Sequence, residues 1–236
     1  MSTLAASAAQ RTIRRGLLVT GVGLAAMAGV YLLALGYTPI ERFQGLPQKI
    51  FYVHVPAAWS ALLAFSLVGI ASALYLWLRD PRLDWFAESC AEAGLVFSLV
   101  MLTTGPLWGK PIWGTYWTWD ARLTFTLLLF FLFLGYRALR GAMHEPGDRA
   151  RYSAVVGIMG LVLVPFVHLT VYLFNTLHPK PIVLKPDSPS LPWEMLRTLL
   201  ISLGVFTVLL LGYVTTRYGL ARRAQELGEE GGGHGD

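Results

Sequence analysis

The sequence predicts an all-α, polytopic membrane protein of six transmembrane helices with both termini in the cytoplasm. Three observations carry that expectation. Hydrophobic residues make up 55% of the 236 and charged residues only 14%, against about 25% charged in an ordinary soluble domain. Six apolar runs each approach the roughly 20 residues that cross a hydrocarbon core. The Lys and Arg residues between the runs are divided unevenly between the two faces. This composition excludes a disordered chain, a fibrous chain and an ordinary soluble enzyme. The net charge of +5 reflects basic loops at the cytoplasmic face rather than nucleic-acid binding. The single cysteine, Cys90, excludes an internal disulfide framework and any Cys-rich metal site.

The first run, Gly16–Gly36, carries no charge and follows Arg11, Arg14 and Arg15. It is too long for the core of a cleaved signal peptide and reads as a retained span. The second, Val55–Leu78, is again uncharged. The third, about Phe86–Leu107, has Glu88 and Glu92 near its start, four apart and so on one helical face; they read as interfacial or partner contacts. The fourth runs about Leu123–Leu139, the fifth about Tyr152–Phe174 and the sixth about Met195–Tyr213. The whole chain, 1–236, forms one transmembrane domain, and Glu226–Asp236 reads as a flexible, frayed cytoplasmic tail.

Of the 19 Lys and Arg residues, 12 fall on one side of these runs and 7 on the other. The positive-inside rule puts the 12 and both termini in the cytoplasm. The loops Tyr37–His54, Trp108–Arg122 and Asn175–Glu194 then face outward, and they hold the unusual chemistry.

The densest signal is the segment from Trp108 to Arg122. It holds Trp108, Trp113, Trp117 and Trp119, four of the eight tryptophans, punctuated by Gly109, Pro111 and Gly114. An aromatic belt at the membrane interface accounts for one or two such residues. Four exceed what anchoring needs, and their flat faces and indole N–H groups suit a large, planar, amphiphilic ligand. Asp120 stands where the fourth span begins and reads first as a helix cap. Arg122 and Lys110 could pair with ligand carboxylates or reach the headgroup region.

Of the five histidines, His144 lies in an inner basic loop and His234 in the tail, both solvated. His54, at the outer end of the second span, and His178, just past the fifth, share one membrane level beside the tryptophan segment. Two imidazoles at one depth suit the two axial positions of a haem iron. His168, about ten residues before His178 and inside the fifth span, lies roughly 15 Å deeper at 1.5 Å per residue, and is expected to make a polar contact inside the bundle. No Cys-x-x-Cys-His motif is present, which excludes covalent haem attachment. No Walker A loop is present either, so the chain does not itself use ATP.

Taken together, Trp108-Gly-Lys-Pro-Ile-Trp-Gly-Thr-Tyr-Trp-Thr-Trp-Asp120-Ala-Arg-Leu-Thr resembles the tryptophan-rich WWD signature of haem-handling membrane proteins. Tyr52-Val-His54-Val-Pro-Ala-Ala and Asn175-Thr-Leu-His178 resemble the two flanking segments of the CcmC branch of that family. The resemblance spans about Phe51 to His178. It implies a cytochrome c maturation (System I) protein of the bacterial inner membrane that is not an enzyme. Such a protein binds haem b on the outer face and loads it onto the haem chaperone CcmE. It further implies His54 and His178 as axial ligands. Trp108, Gly109, Trp113, Gly114, Trp117, Trp119, Asp120 and Arg122 would form the haem platform and chaperone-contact segment. An ABC partner made of CcmA and CcmB, the small protein CcmD and membrane lipid are the implied neighbours, with no nucleic acid. Two rivals are a transporter carrying haem through the bilayer, which would want polar or broken helices near the midplane, and a b-type cytochrome, which would want a second deep histidine.

Overall fold

Each apolar run is a helix in the computed structural model, which describes residues 7–180, 182–183, 185–186 and 189–232. The helices are α1 (Ala8–Gly36), α2 (Phe51–Leu78), α3 (Pro81–Trp113), α4 (Ala121–Ala142), α5 (Pro146–Leu173) and α6 (Trp193–Gly232). All six are long and apolar enough to cross a membrane. A short 3₁₀ turn, Leu46–Ile50, leads directly into α2. The boundaries follow local chemistry. Ser7 and Gln10 form a reciprocal capping box on α1. Asp80 caps α3 with Pro81 at the first helical position, and Pro146 opens α5 the same way.

Helix α2 is the centre of the bundle and packs against α3, α5 and α6. Its buried face, Ala57, Ala61, Ala64, Phe65 and Val68, repeats at three- and four-residue steps, as one stripe of a helix must. Small residues set how close its neighbours come. A methyl group on Gly94 of α3 would sit 2.4 Å from the Phe65 ring. That ring in turn stacks on Phe133 of α4 with centroids 3.9 Å apart. Helix α1 stands outside this core and rests on α6. Gly16 and Gly23 face Thr216 and Leu209, while Gly212 and Gly219 face Thr20 and Ile13. Without a hydrophobic force between helices in lipid, such close backbone approach is what holds them together.

Glu88 and Glu92 pair with arginines inside the bundle. Arg140 of α4 holds Asp84 of α3 through two hydrogen bonds of 2.6 and 2.9 Å and also reaches Glu88 at 2.8 Å. Arg137 pairs with Glu88 (2.5 Å) and Glu92 (2.9 Å), and Arg217 of α6 closes on Glu92. Three guanidinium groups and three carboxylates thus form a neutral clamp across α3, α4 and α6. Arg140 is only 2% exposed through its side chain.

Three expectations change in extent. Helix α3 runs on to Trp113, through Pro106 and Pro111, so the first six residues of the tryptophan segment are helix and the loop proper is shorter than 108–122. Helix α6 continues to Gly232, so the tail expected to fray from Glu226 is helical as far as it is described; residues 233–236, His234 among them, lie outside the described residues. Helix α5 stops at Leu173. Only five residues of helical rise, about 7–8 Å, therefore separate His168 from the end of its helix, and the ten-residue helical measure to His178 does not apply.

Candidate functional site

The starts of α2 and α4 and the ends of α3 and α5 meet at one end of the bundle, opposite the clamp. His54 stands in the first turn of α2, Trp108 and Trp113 in the last turns of α3, Asp120 at the cap of α4, and His178 four residues past the capping Phe174 of α5. The candidate residues from three separate stretches of sequence are thereby brought together.

Two imidazole–indole contacts organise the site. The His54 ring meets Trp108 with centroids 5.8 Å apart, edge to face, and the His178 ring meets Trp113 at 5.4 Å. Each tryptophan is itself held. Trp108 donates its indole N–H to Gln44 Oε1 at 3.1 Å, tying the segment between α1 and α2 to α3. Trp113 lies over Gly109, where a Cβ would come within 3.1 Å of its ring. The glycine leaves the space the ring occupies. Helix α3 can extend this far because prolines are tolerated in membrane helices, although Pro106 and Pro111 withhold the bonds that would reach the Leu102 and Leu107 carbonyls. Gly114 then ends the helix at φ 76°, a left-handed conformation that glycine adopts without strain. Lys110 closes that turn by donating to the Gly114 carbonyl at 2.9 Å and lies over the Tyr116 ring.

Asp120 does two things at once. Its Oδ1 accepts from the Leu123 N–H at 3.0 Å, the cap expected from sequence, and its Oδ2 accepts from the Leu177 N–H at 3.2 Å. The second bond fastens the loop that carries His178 to the start of α4. Trp117 and Trp119 pack edge to face at 5.7 Å; Trp117 is half-buried, and Trp119 is 75% exposed.

The electrostatics of the site centre on Arg122. Its guanidinium acts on His54, His168 and His178 alike. Among the described residues it makes no hydrogen bond or close ion pair, and Asp120 alone offsets its charge. The His178 imidazole is pushed down from 6.5 to about 4, first by burial, then by the positive Arg122 and by His54, with Asp120 opposing. It is therefore neutral at physiological pH. Its Nδ1 is buried with no hydrogen-bond partner, and so is the Trp117 indole nitrogen. Buried polar atoms left unpaired are rare in folded proteins. Two of the eleven such side-chain atoms among the described residues, His178 Nδ1 and Trp117 Nε1, belong to the histidine and tryptophan segments, and together with the charge of Arg122 they are groups that a metalloporphyrin with carboxylate arms would satisfy. The residues fit the group that the sequence resemblance implies.

His54's hydrogen-bond partner, Thr104 at 3.1 Å, and Trp108's partner, Gln44, were not among the expected site residues. Their only sequence signal is weak: one of a few hydroxyl residues in the apolar stretch of α3, and a polar residue between α1 and α2.

Comparison with known proteins gives a consistent result. A sequence model of the family described as heme exporter protein C matches residues 2–229. A heme exporter protein C of Bradyrhizobium diazoefficiens is 40% identical over 189 residues, covering 78% of this chain and 72% of the relative. One from Haemophilus influenzae is 33% identical over 202 residues, 86% of this chain and 79% of the relative. One from Escherichia coli is 35% identical over 148 residues, 63% of this chain and 60% of the relative.

Proposed function

The chain belongs to the heme exporter protein C family, and from that premise we propose that it binds haem b without covalent attachment at the tryptophan-bearing end of the bundle and passes it to the chaperone CcmE during c-type cytochrome biogenesis. The observation that carries this reading is the meeting of His54 and His178, 124 positions apart, each against its own tryptophan and both in the field of Arg122.

The haem is cargo, and its iron offers one axial position on each face. His54 and His178 would supply the two imidazoles; ligation requires the neutral form, in which the His178 ring stands at physiological pH. Arg122 supplies a half-buried positive charge for a propionate, which would otherwise be costly near hydrocarbon. Trp113 and Trp117 present ring surface and the unpaired indole N–H. Each of these contacts can be surrendered separately, which suits a site that must hold its cargo and then release it. Trp119, exposed beside Trp117, is placed to meet the chaperone as the haem leaves. The surrounding apparatus would be the CcmA and CcmB ABC transporter and CcmD in the bacterial inner membrane, with the site on the periplasmic face.

Replacing His54 or His178 by Ala removes one axial bond. Each variant should lose part of its bound haem or its low-spin visible spectrum, and added imidazole should restore part of that spectrum. The double variant should lose bis-histidine features altogether. Their persistence in the double variant would end the axial assignment.

A further inference from the structure

Thr104 lies on α3 one turn before Trp108, and its hydroxyl faces the His54 ring. A hydroxyl has one proton and two lone pairs. The proton is committed along the helix, for Oγ1 lies 2.7 Å from the Val100 carbonyl, the back-bond that Thr makes inside helices. A lone pair is what remains for His54 Nδ1 at 3.1 Å. That contact therefore requires the proton on Nδ1. A neutral imidazole has a single N–H, so Nε2 keeps its lone pair free. Among the described residues, none hydrogen-bonds to Nε2.

His178 differs in each of these respects. It lies on a loop rather than in a helix, its backbone is tied by the Leu177–Asp120 bond and by its own N–H to Thr176 Oγ1 at 3.2 Å, and its buried Nδ1 has no partner. A hydrogen bond from the far N–H of a ligating histidine fixes the ring and raises its basicity, and losing such a partner typically weakens metal affinity about 10–100-fold. Resting on the reading of His54 and His178 as the axial pair, we propose that Thr104 is a positioning residue that holds His54 in the Nδ1-protonated form. His54 is thereby the anchored ligand, and His178, on its loop, is the ligand that yields when the haem is handed over.

The test uses the full chain purified in lipid nanodiscs, with Thr104→Val, which keeps the shape and removes the hydroxyl, and Thr104→Ser, which restores it. In the haem-free protein, ¹⁵N-histidine NMR reads the tautomer directly, with His54 assigned by the signal missing in His54→Gln. Protonated Nδ1 in the parent and in Thr104→Ser, and a mixed population in Thr104→Val, is the expected result. Protonated Nε2 in the parent overturns the proposal whatever the haem does. In the haem-loaded protein, Thr104→Val should release haem to apomyoglobin about tenfold faster or more and shift the haem midpoint potential upward, because a less basic imidazole stabilises ferric iron less. Thr104→Ser should return both to the parent values. His54→Ala should retain less haem than His178→Ala; equal or reversed retention overturns the division between anchored and yielding ligands. If Thr104→Val matches the parent while His54→Ala loses the low-spin spectrum, the role of Thr104 falls and the axial pair stands. If the double histidine variant keeps its low-spin spectrum, the axial pair itself falls and the proposal with it.

Discussion

Asp120 shows how one side chain can serve a helix and a site together. Its two oxygens divide between the Leu123 N–H of the cap and the Leu177 N–H of the histidine loop, and the two roles come apart under substitution. Asp120→Ala loses both and should destabilise the protein by about 1 kcal/mol, the usual worth of a cap, while lowering haem retention. Asp120→Asn has one carbonyl oxygen, which can keep the cap, and an NH₂ group that cannot accept from Leu177. Thermal unfolding should stay near the parent for Asn and fall for Ala, whereas haem retention should fall in both. Equal retention by Asn and parent would limit Asp120 to capping. His178 makes a second prediction at this scale. Its imidazole is lowered from 6.5 to about 4 by burial first and then by Arg122, so the folded protein resists protonating it while the unfolded chain does not. Stability linked to this group is complete above 6.5 and is withdrawn as the pH falls from there through about 4. The neutral, ligating ring should likewise persist to about that value. Because iron competes with the proton for the ring, a pH titration of the visible spectrum should show low-spin haem held at pH 5 and lost only at about pH 4 or below; loss centred on 6.5 would mean that His178 is not buried as described.

At the scale of the element, α3 is the helix that carries most of the function, and it was only partly legible. Its apolar stretch marks a span ending near Leu107, and Gly109 and Pro111 beyond it read as part of a loop. In water those residues would end it; in a bundle, packing and lipid continue it to Trp113. That difference puts Trp108 and Trp113 on a rigid rod rather than a loop, with Gly109 beneath Trp113. The other end of α3 hid a different fact. Asp84, Glu88 and Glu92 find their partners about 50 to 125 positions away, in Arg137, Arg140 and Arg217, and no local pattern announces a pairing over that distance. Arg140 and Asp84 are the most enclosed pair of the clamp. Removing one partner leaves the other charge buried without compensation, a loss of about 3–5 kcal/mol. Arg140→Ala should unfold in detergent well below the parent, and the double change Arg140→Met with Asp84→Leu should recover much of the difference, since an apolar pair of similar volume avoids the stranded charge. No recovery in the double variant would show that the clamp does more than neutralise itself, and that its geometry is required.

At the scale of the whole molecule, the six spans were legible because hydropathy over about 20 residues is a strong signal, and the family resemblance was legible because three short motifs stand in order. What sequence alone could not give was the convergence of those motifs, which needs the helices packed. The orientation of the bundle is the remaining question at this scale, and it decides whether the site meets a periplasmic chaperone. Twelve Lys and Arg lie at the end with the clamp and seven at the end with the histidines. In the folded protein the contrast is smaller, for Arg137, Arg140 and Arg217 of the twelve are neutralised within the clamp. Orientation is set during insertion, however, before α3, α4 and α6 meet, and Asp and Glu contribute little to it. The full count is thus the relevant one, and it points the clamp inward. Reporter fusions after Arg79 and Arg140 should report cytoplasm, and fusions after Lys110 and Lys180 should report the outer side. Because α2 ends at Leu78 and α3 begins at Pro81, the fusion after Arg79 samples a turn of two residues and leaves two complete spans upstream. An outward signal there would turn the bundle over and place His54, His178 and Trp119 in the cytoplasm, where a periplasmic acceptor could not reach them.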